Sequence, residues 1–218
     1  MIKKRLIILG APGVGKGTQA KRLKKAFHWA HISTGDMLRE EVRESTPLGR
    51  QAKSIMEKGE LVPDDLILEM VGNRLNHGDC QHGFILDGFP RTVNQAEKLE
   101  YLLRQRDLQL DGVITIEVPT DEIIQRLLER LVCETCGYVV MPGNGLQDGD
   151  SCPHCSGTVI RRRDDNPITV RKRLDVYHQQ TDSLIKYYEG KRLLKVVSGM
   201  GLVDDITKRI FETLELSS

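Results

Sequence analysis

The sequence predicts an α/β fold, a five-stranded parallel sheet with helices on both faces, carrying two inserted flaps. Three observations lead there. Five short apolar runs, Leu6–Leu9, Ala30–Ser33, Phe84–Leu86, Val113–Val118 and Leu194–Val197, stop at glycine, proline or a polar residue, as short strands do. Stretches of helical period separate most of them, and alternating strands and helices build a parallel sheet covered on both sides. Between the first run and the first helix lies Gly10-Ala11-Pro12-Gly13-Val14-Gly15-Lys16-Gly17-Thr18, the context of a phosphate-binding P-loop.

Taken in order, the helical stretches are Lys16–Phe27, Asp65–Leu75, Asn94–Arg104, Asp121–Val132 and Thr169–Tyr188, with Asp204–Leu214 closing the chain. Two segments break the rhythm. Gly35–Val62 carries two helical patterns, Met37–Glu44 and Leu48–Lys58, and no strand; Cys133–Asp165 is rich in Gly, Pro, Cys and Asp and has no helical period. The expected division is a core of residues 1–32, 63–130 and 166–218, a first flap at 33–62 and a second at 131–165. A chain of 218 residues suits one core with such excursions.

Lys+Arg 32 against Asp+Glu 31 leaves a net charge of +1, so no bulk field would hold the chain on nucleic acid or an anionic membrane. The basic start Met1-Ile2-Lys3-Lys4-Arg5 is followed by an apolar run that stops at Gly10, short of the roughly 7–15 residues of a secretory h-region. No run approaches the roughly 18 residues of a membrane span. The expectation is a soluble, cytoplasmic protein with no membrane or nucleic-acid partner. Four of the five cysteines form two CxxC pairs, which favours metal binding in a reducing compartment; Cys80 reads as a small buried thiol between a helix and a strand.

In the P-loop, glycines let successive backbone N–H groups converge on phosphates, the helix N-terminus adds positive potential, and Lys16 supplies a mobile charge. Gly17 stands where the general motif has Ser or Thr, and Thr18 follows it. That GKGT form, with Ser33-Thr34-Gly35-Asp36-Met37-Leu38-Arg39 and Leu86-Asp87-Gly88-Phe89-Pro90-Arg91-Thr92 in that order, closely resembles the adenylate kinases, and matching segments run from residue 6 to about 200.

The resemblance implies the P-loop nucleoside monophosphate kinase fold with an AMP-binding flap and a metal-bearing lid. The implied activity is reversible phosphoryl transfer from Mg-ATP to AMP, giving two ADP without a covalent enzyme intermediate; nothing in the sequence demands more than a monomer. It makes Gly13, Val14, Gly15, Lys16, Gly17 and Thr18 ATP ligands, joined by Arg126, Arg130, Val139 and Gly201. Arg39 and Arg91 become AMP-phosphate ligands. Thr34, Glu60, Leu61, Val62 and Gln95 hold the acceptor base and ribose beside Gly88, Phe89 and Pro90, and Arg162 and Arg173 reach the transferring phosphoryl group and AMP. Asp87 ends an apolar run as a Walker-B acid holding Mg²⁺ would, and Asp36 is a second candidate.

Cys133-x2-Cys136-x15-Cys152-x2-Cys155 has the spacing of a closed structural Zn²⁺ site. Iron or another metal in its place, or a relic site without metal, are the alternatives. The adenylate kinase lids of this type usually carry sixteen residues between the pairs and a Ser/Thr-Tyr/His pair after the second cysteine, where this chain has Gly137-Tyr138-Val139-Val140. Arg126 and Arg130 are four apart on the helix entering the lid, and Asp164 and Asp165 follow the basic run Arg161-Arg162-Arg163. Two other functions fit parts of the sequence: a kinase preferring another monophosphate, and a zinc-ribbon nucleic-acid module fused to an ATPase.

Overall fold

The computed structural model describes residues 2–140 and 144–216. Five strands, β1 (Arg5–Leu9), β2 (Ala30–Ser33), β3 (Phe84–Asp87), β4 (Gly112–Glu117) and, after the lid, the last strand (Leu194–Ser198), form one parallel sheet. The central strand β1 sets the register, with Ile7 opposite both Leu86 and Val113. Side chains alternate across a strand, so Ile7, Leu9, Ile32, Leu86 and Val113 join one apolar core, while Leu6, Ile8, Ile85, Ile114 and Ile116 join the other. Burial on both faces is why these strands read as unbroken apolar runs.

The second of those cores is closed by α1 (Lys16–Phe27), through Ala20 and Leu23, and by other helices from the chain's later half. On the first lie α2 (Thr34–Arg43), α3 (Pro47–Glu57), α4 (Asp64–Leu75) and α5 (Val93–Arg104), through Leu38, Ala52, Val71 and Leu99. Between α4 and β3 a short 3-10 turn buries Cys80, as the sequence suggests. Helix α6 (Thr120–Leu128) then leads to the lid hairpin, β5 (Leu131–Cys133) against β6 (Val159–Arg161), antiparallel. After it come α7 (Pro167–Val176), α8 (Asp182–Gly190), the fifth sheet strand, here β7, and α9 (Val203–Thr213). The sheet order is β2-β3-β1-β4-β7.

In the first flap, Ser33 caps α2 by accepting from the Asp36 N–H, and Thr46 caps α3 by accepting from the Gly49 N–H at 3.0 Å. Gly49 also sets how closely the two helices cross. A Cβ there would run into the Glu41 carbonyl and come within 2.6 Å of the Val42 nitrogen, atoms of backbone that cannot turn aside.

Two helical expectations need correction. The stretch expected to be helical through Val132 ends at Leu128, because Leu131, Val132 and Cys133 extend to pair with Arg161, Ile160 and Val159. Arg130 therefore lies beyond the helix that carries Arg126, in the turn before β5. The stretch Thr169–Tyr188 is also not one helix: it starts earlier, at Pro167 under an Asn166 cap, and is interrupted by a π-turn over Tyr177–Thr181. There the Thr181 hydroxyl donates to the Arg91 carbonyl at 3.0 Å, so a contact distant in sequence draws the turn toward the cleft. Of the expected lid segment, 141–143 lie outside the described residues.

Gly49→Ala tests the flap. Alanine would gain about 1 kcal/mol of helix propensity, but overpacking against immobile backbone costs about 1–3 kcal/mol or more, and the overlap here is severe. We expect a net loss near 2 kcal/mol and a melting temperature lower by about 4–8 °C in a chain of this size; an unchanged or raised melting curve refutes the close crossing.

Candidate active site

Chain direction fixes where the chemistry gathers. All five parallel strands end on the same side, and the loops leaving them line one cleft of about 510 Å³ between core, flap and lid. β1 runs into the P-loop, where Gly13 and Gly15 adopt φ of 89° and 100°. Positive φ is open to glycine without strain. A Cβ on Gly13 would also lie 2.7 Å from Leu127, so the loop rests directly on α6.

The Lys16 ammonium folds back and donates to the carbonyls of Gly10 at 2.7 Å and Ala11 at 2.8 Å. Burial, opposed by Asp87 and reinforced by Arg91, Arg173 and Arg130, brings its pKa from 10.5 to about 7. Gly17 explains its own departure from the general motif: a Cβ there would lie 3.3 Å from Asp87 Oδ2, so a bare backbone keeps space beside that carboxylate. Asp87 closes β3, is buried, and meets His31 Nε2 of β2 at 3.2 Å.

Around this centre stand Arg39, Arg91, Arg130, Arg162 and Arg173, all lining the cleft. Two consecutive acids hold two of them. Asp165, fully buried, takes Arg130 in a two-bond grip at 2.8 and 2.6 Å and Arg173 at 3.0 Å, and Asp164 takes Arg173 at 3.0 Å. Asp36, about half exposed, accepts from Arg39 at 2.6 Å and faces Arg162 at 3.7 Å; against partial desolvation these arginines hold its pKa to about 2. Desolvation within the cleft first, and then the neighbouring arginines, lower Arg162 to about 9 and Arg91 to about 10, and lower Arg173 as well. The Arg162 Nε is buried without a partner among the described residues. Such a site is short of negative charge.

A smaller recess of about 70 Å³ opens beneath the first flap, lined by Thr34, Glu60, Leu61, Val62, Gly88 and Gln95 among others. Thr34 donates to the Gly88 carbonyl at 2.9 Å and Arg91 Nε to the same oxygen at 2.8 Å. Gln95 is already engaged, accepting from the Arg91 N–H at 2.7 Å and donating to Asp64 at 2.6 Å. Pro90 lines the main cleft, whereas the Phe89 side chain is fully buried in the core, leaving only its backbone near the site. Arg126 pairs with Glu122 at 2.8 Å and donates to the Gly199 carbonyl at 3.2 Å, and it lines the same cleft as Val14, Thr18, Val139 of the lid and Gly201. Glu122, Gln125, Val176, Tyr177 and Thr181 also line the cleft and were not anticipated. The only local signal for the last two was a π-turn that helical periodicity cannot reveal.

The four lid cysteines come together with their sulfur atoms within 4.8 Å of one another. Cys133 to Cys155 is 3.5 Å and Cys136 to Cys152 is 3.7 Å, close to the ~3.8 Å edge of a tetrahedron with ~2.3 Å metal–sulfur bonds and far beyond the ~2.0 Å of a disulfide. The two pairs fold alike. Gly137 and Ser156 each donate backbone N–H to the carbonyl four residues back, while Cys133 and Cys152 each donate to the carbonyl five residues ahead. A Cβ on Gly157 would collide with Thr135 and come within 3.2 Å of Cys133 sulfur, so the cradle is tight. The donor set fits a soft or borderline cation such as Zn²⁺.

Comparison with known proteins agrees with this geometry. The family model described as adenylate kinase matches residues 8–193. The chain is 48% identical to an adenylate kinase of Caldicellulosiruptor bescii, over 96% of this chain and 98% of the relative. To one of Thermodesulfovibrio yellowstonii it is 49% identical, over 97% and 99% respectively. An adenylate kinase of Clostridium perfringens is 44% identical over 96% and 98%. With a P-loop, an anion-seeking cleft and near-complete coverage at this identity, the chain belongs to the adenylate kinase family, the nucleoside monophosphate kinases that pass a phosphoryl group between ATP and AMP.

Proposed function

We propose that ATP lies along the P-loop between Arg126, Val139 and Gly201, that AMP occupies the recess under the first flap, and that the phosphoryl group passes directly between them. The observation that carries this reading is the convergence of Lys16 and five arginines on a cleft whose carboxylates are too few to balance them. Two nucleotides would supply the missing negative charge, and preorganised cations stabilise the charge spread over a phosphoryl group in flight. Gly13, Val14, Gly15, Lys16, Gly17 and Thr18 would hold the donor phosphates, with Arg126 and Arg130 beside them. Arg39 and Arg91 would hold the AMP phosphate, while Arg162 and Arg173 bridge the two. Thr34, Glu60, Leu61, Val62, Gly88, Phe89, Pro90 and Gln95 would frame the acceptor base and ribose, Phe89 by its backbone.

Asp87, beside the space Gly17 leaves open, would hold Mg²⁺ through its water shell; that ion, bound with ATP, neutralises phosphate charge. The reading is of a monomer with core 1–32, 63–130 and 166–218, flap 33–62 and lid 131–165. Cys133, Cys136, Cys152 and Cys155 would hold structural Zn²⁺, and thiols in that state suit the cytoplasm. Among the described residues no helix is long and apolar enough to cross a membrane. Against a nucleic-acid partner stand the net charge of +1 and a lid whose one Phe, Tyr or Trp ring, Tyr138, packs at a tilt against His154 with ring centroids 4.1 Å apart.

Lys16→Met and Arg91→Ala should each lower turnover by about 10²–10⁴-fold while the protein stays folded; near wild-type rates of ADP formation would refute the assignment. Lys16 also predicts a pH effect. Its folded pKa of about 7 lies below the ordinary 10.5, so between those values the unfolded chain binds more protons and wild-type stability rises with pH. Nucleotide-free Lys16→Met, lacking that titration, should gain on wild type at pH 7 and lose the advantage toward pH 10. Urea titrations of both proteins at the two pH values would show it, and a pH-independent difference would count against the buried ammonium.

The metal is expected to stabilise the lid and take no part in the chemistry. A lid of about thirty residues is too small to support a core of its own, and thiolate coordination can supply the missing stability. Cys136→Ser should lose metal and melt earlier yet keep substantial activity at low temperature, measured by metal analysis, melting and turnover on one sample. An inactive variant with an unchanged melting curve would instead put the metal in the chemistry.

A further inference from the structure

The loop between β7 and α9 brings Gly201 to the donor end of the cleft. Its shape is held by side chains and close packing. Gly199 lies against the end of β4, where its N–H donates to the Glu117 carbonyl at 2.8 Å and a Cβ would come within 2.5 Å of Val118 and 2.6 Å of Ile116. Arg209, in the second turn of α9, reaches back so that one Nη1 donates to two loop carbonyls, Ser198 at 3.0 Å and Met200 at 2.6 Å.

The other carbonyls of the run are also committed, with one exception. Gly199 accepts from Arg126 at 3.2 Å, Leu202 from the Ile206 N–H at 3.1 Å, and Val203 from Gln19 Nε2 at 3.1 Å. The Gly201 carbonyl has no hydrogen bond among the described residues, on a residue that lines the cleft with φ of 98°.

We propose that Arg209 is a positioning residue that sets the enzyme's preference for an adenine donor. By occupying the carbonyls of Ser198 and Met200 it fixes the loop so that the uncommitted Gly201 carbonyl meets the exocyclic amino group of the base. A 6-oxo purine would set acceptor against acceptor there, and a polar group left unpaired in a site is the source of strong discrimination. Arg209 does not touch the nucleotide. It holds the group that does, as the supporting shell of a precise site must. Without it the two released carbonyls compete for the same donor and the loop no longer offers one acceptor in one place. This inference rests on the reading of Gly201 as part of the ATP subsite.

Arg209→Met keeps an unbranched apolar stem and removes the donors. Rates with ATP and with GTP as donor, at saturating AMP, give the test. We expect the KM for ATP to rise about three- to tenfold and the ATP-over-GTP ratio of kcat/KM to fall by a similar factor, with kcat and the KM for AMP within about twofold of wild type. Arg209→Lys, which keeps donors on a shorter reach, should recover most of the ratio. An unchanged ratio in Arg209→Met, whatever its melting temperature, overturns the proposal; should that variant fail to fold, Arg209→Gln is scored by the same ratio. Gly201→Val isolates the underlying reading. If it raises the KM for ATP while Arg209→Met leaves the ratio intact, the subsite stands and Arg209 has no part in it; if the KM for ATP does not change, the subsite reading fails and the proposal with it.

Discussion

The buried carboxylate of Asp165 is the constraint on which the cleft depends. It lies at the lid's exit and holds Arg130 at the lid's entrance, so one side chain ties the two ends of the hairpin together. It also holds Arg173 of α7, a core helix, which fixes that junction to the sheet. A fully buried carboxylate is tolerated only when cations and hydrogen bonds satisfy it, and here both guanidinium groups do so while presenting their remaining donors to the cleft. The joint at the base of the hairpin is therefore also part of the cleft's arginine cluster.

The sheet supplies the second half of that arrangement. β1 and β3 deliver the P-loop and Asp87 to the same edge because they run parallel and adjacent, with Ile8 opposite Asp87. Glycines then decide how near these parts come. Gly17 lets α1 start beside the Asp87 carboxylate, Gly13 lets the loop lie on α6, and Gly49 lets the flap helices cross at backbone contact. The close approaches at Gly13 and Gly17 set distances over which charges act, and Coulomb energies are steep in distance where solvent screens them little.

Much of this was legible in the sequence because it rests on local or strongly periodic signals. Five apolar runs became the five strands within a residue or two, and the CxxC pairs met as four sulfurs. Where sequence reasoning erred, a distant partner had overridden local preference: β6 draws Leu131–Cys133 out of a helical pattern, and Arg91 receives a bond from Thr181 at the break between α7 and α8. Arg126 and Arg130 look like neighbours on one helix but lie in different elements, paired with Glu122 and Asp165 respectively. Helical spacing carries no information about such pairings, which only the closed chain creates. The carbonyl contacts of Arg209 were likewise invisible, since backbone acceptors leave no trace in composition.

Several polar side chains that line the cleft are satisfied by the protein itself. Lys16 is bonded to two loop carbonyls, Gln95 to Asp64 and the Arg91 backbone, and Arg39 to Asp36. Substrate binding is therefore an exchange of partners, and each new hydrogen bond contributes only its excess over the one it replaces. Arg162 differs, because its buried Nε has no hydrogen-bond partner among the described residues and the neighbouring arginines, after burial, lower its pKa. Binding strength would then come chiefly from charge balance and discrimination from the exchanged hydrogen bonds, in different parts of one cleft. On the proposed reading, a phosphoryl group in flight would place its charge among the arginines and Lys16, away from the groups proposed to frame the bases. Stabilisation of the transition state can thus exceed that of the bound substrates, the condition on which catalysis, as distinct from binding, depends.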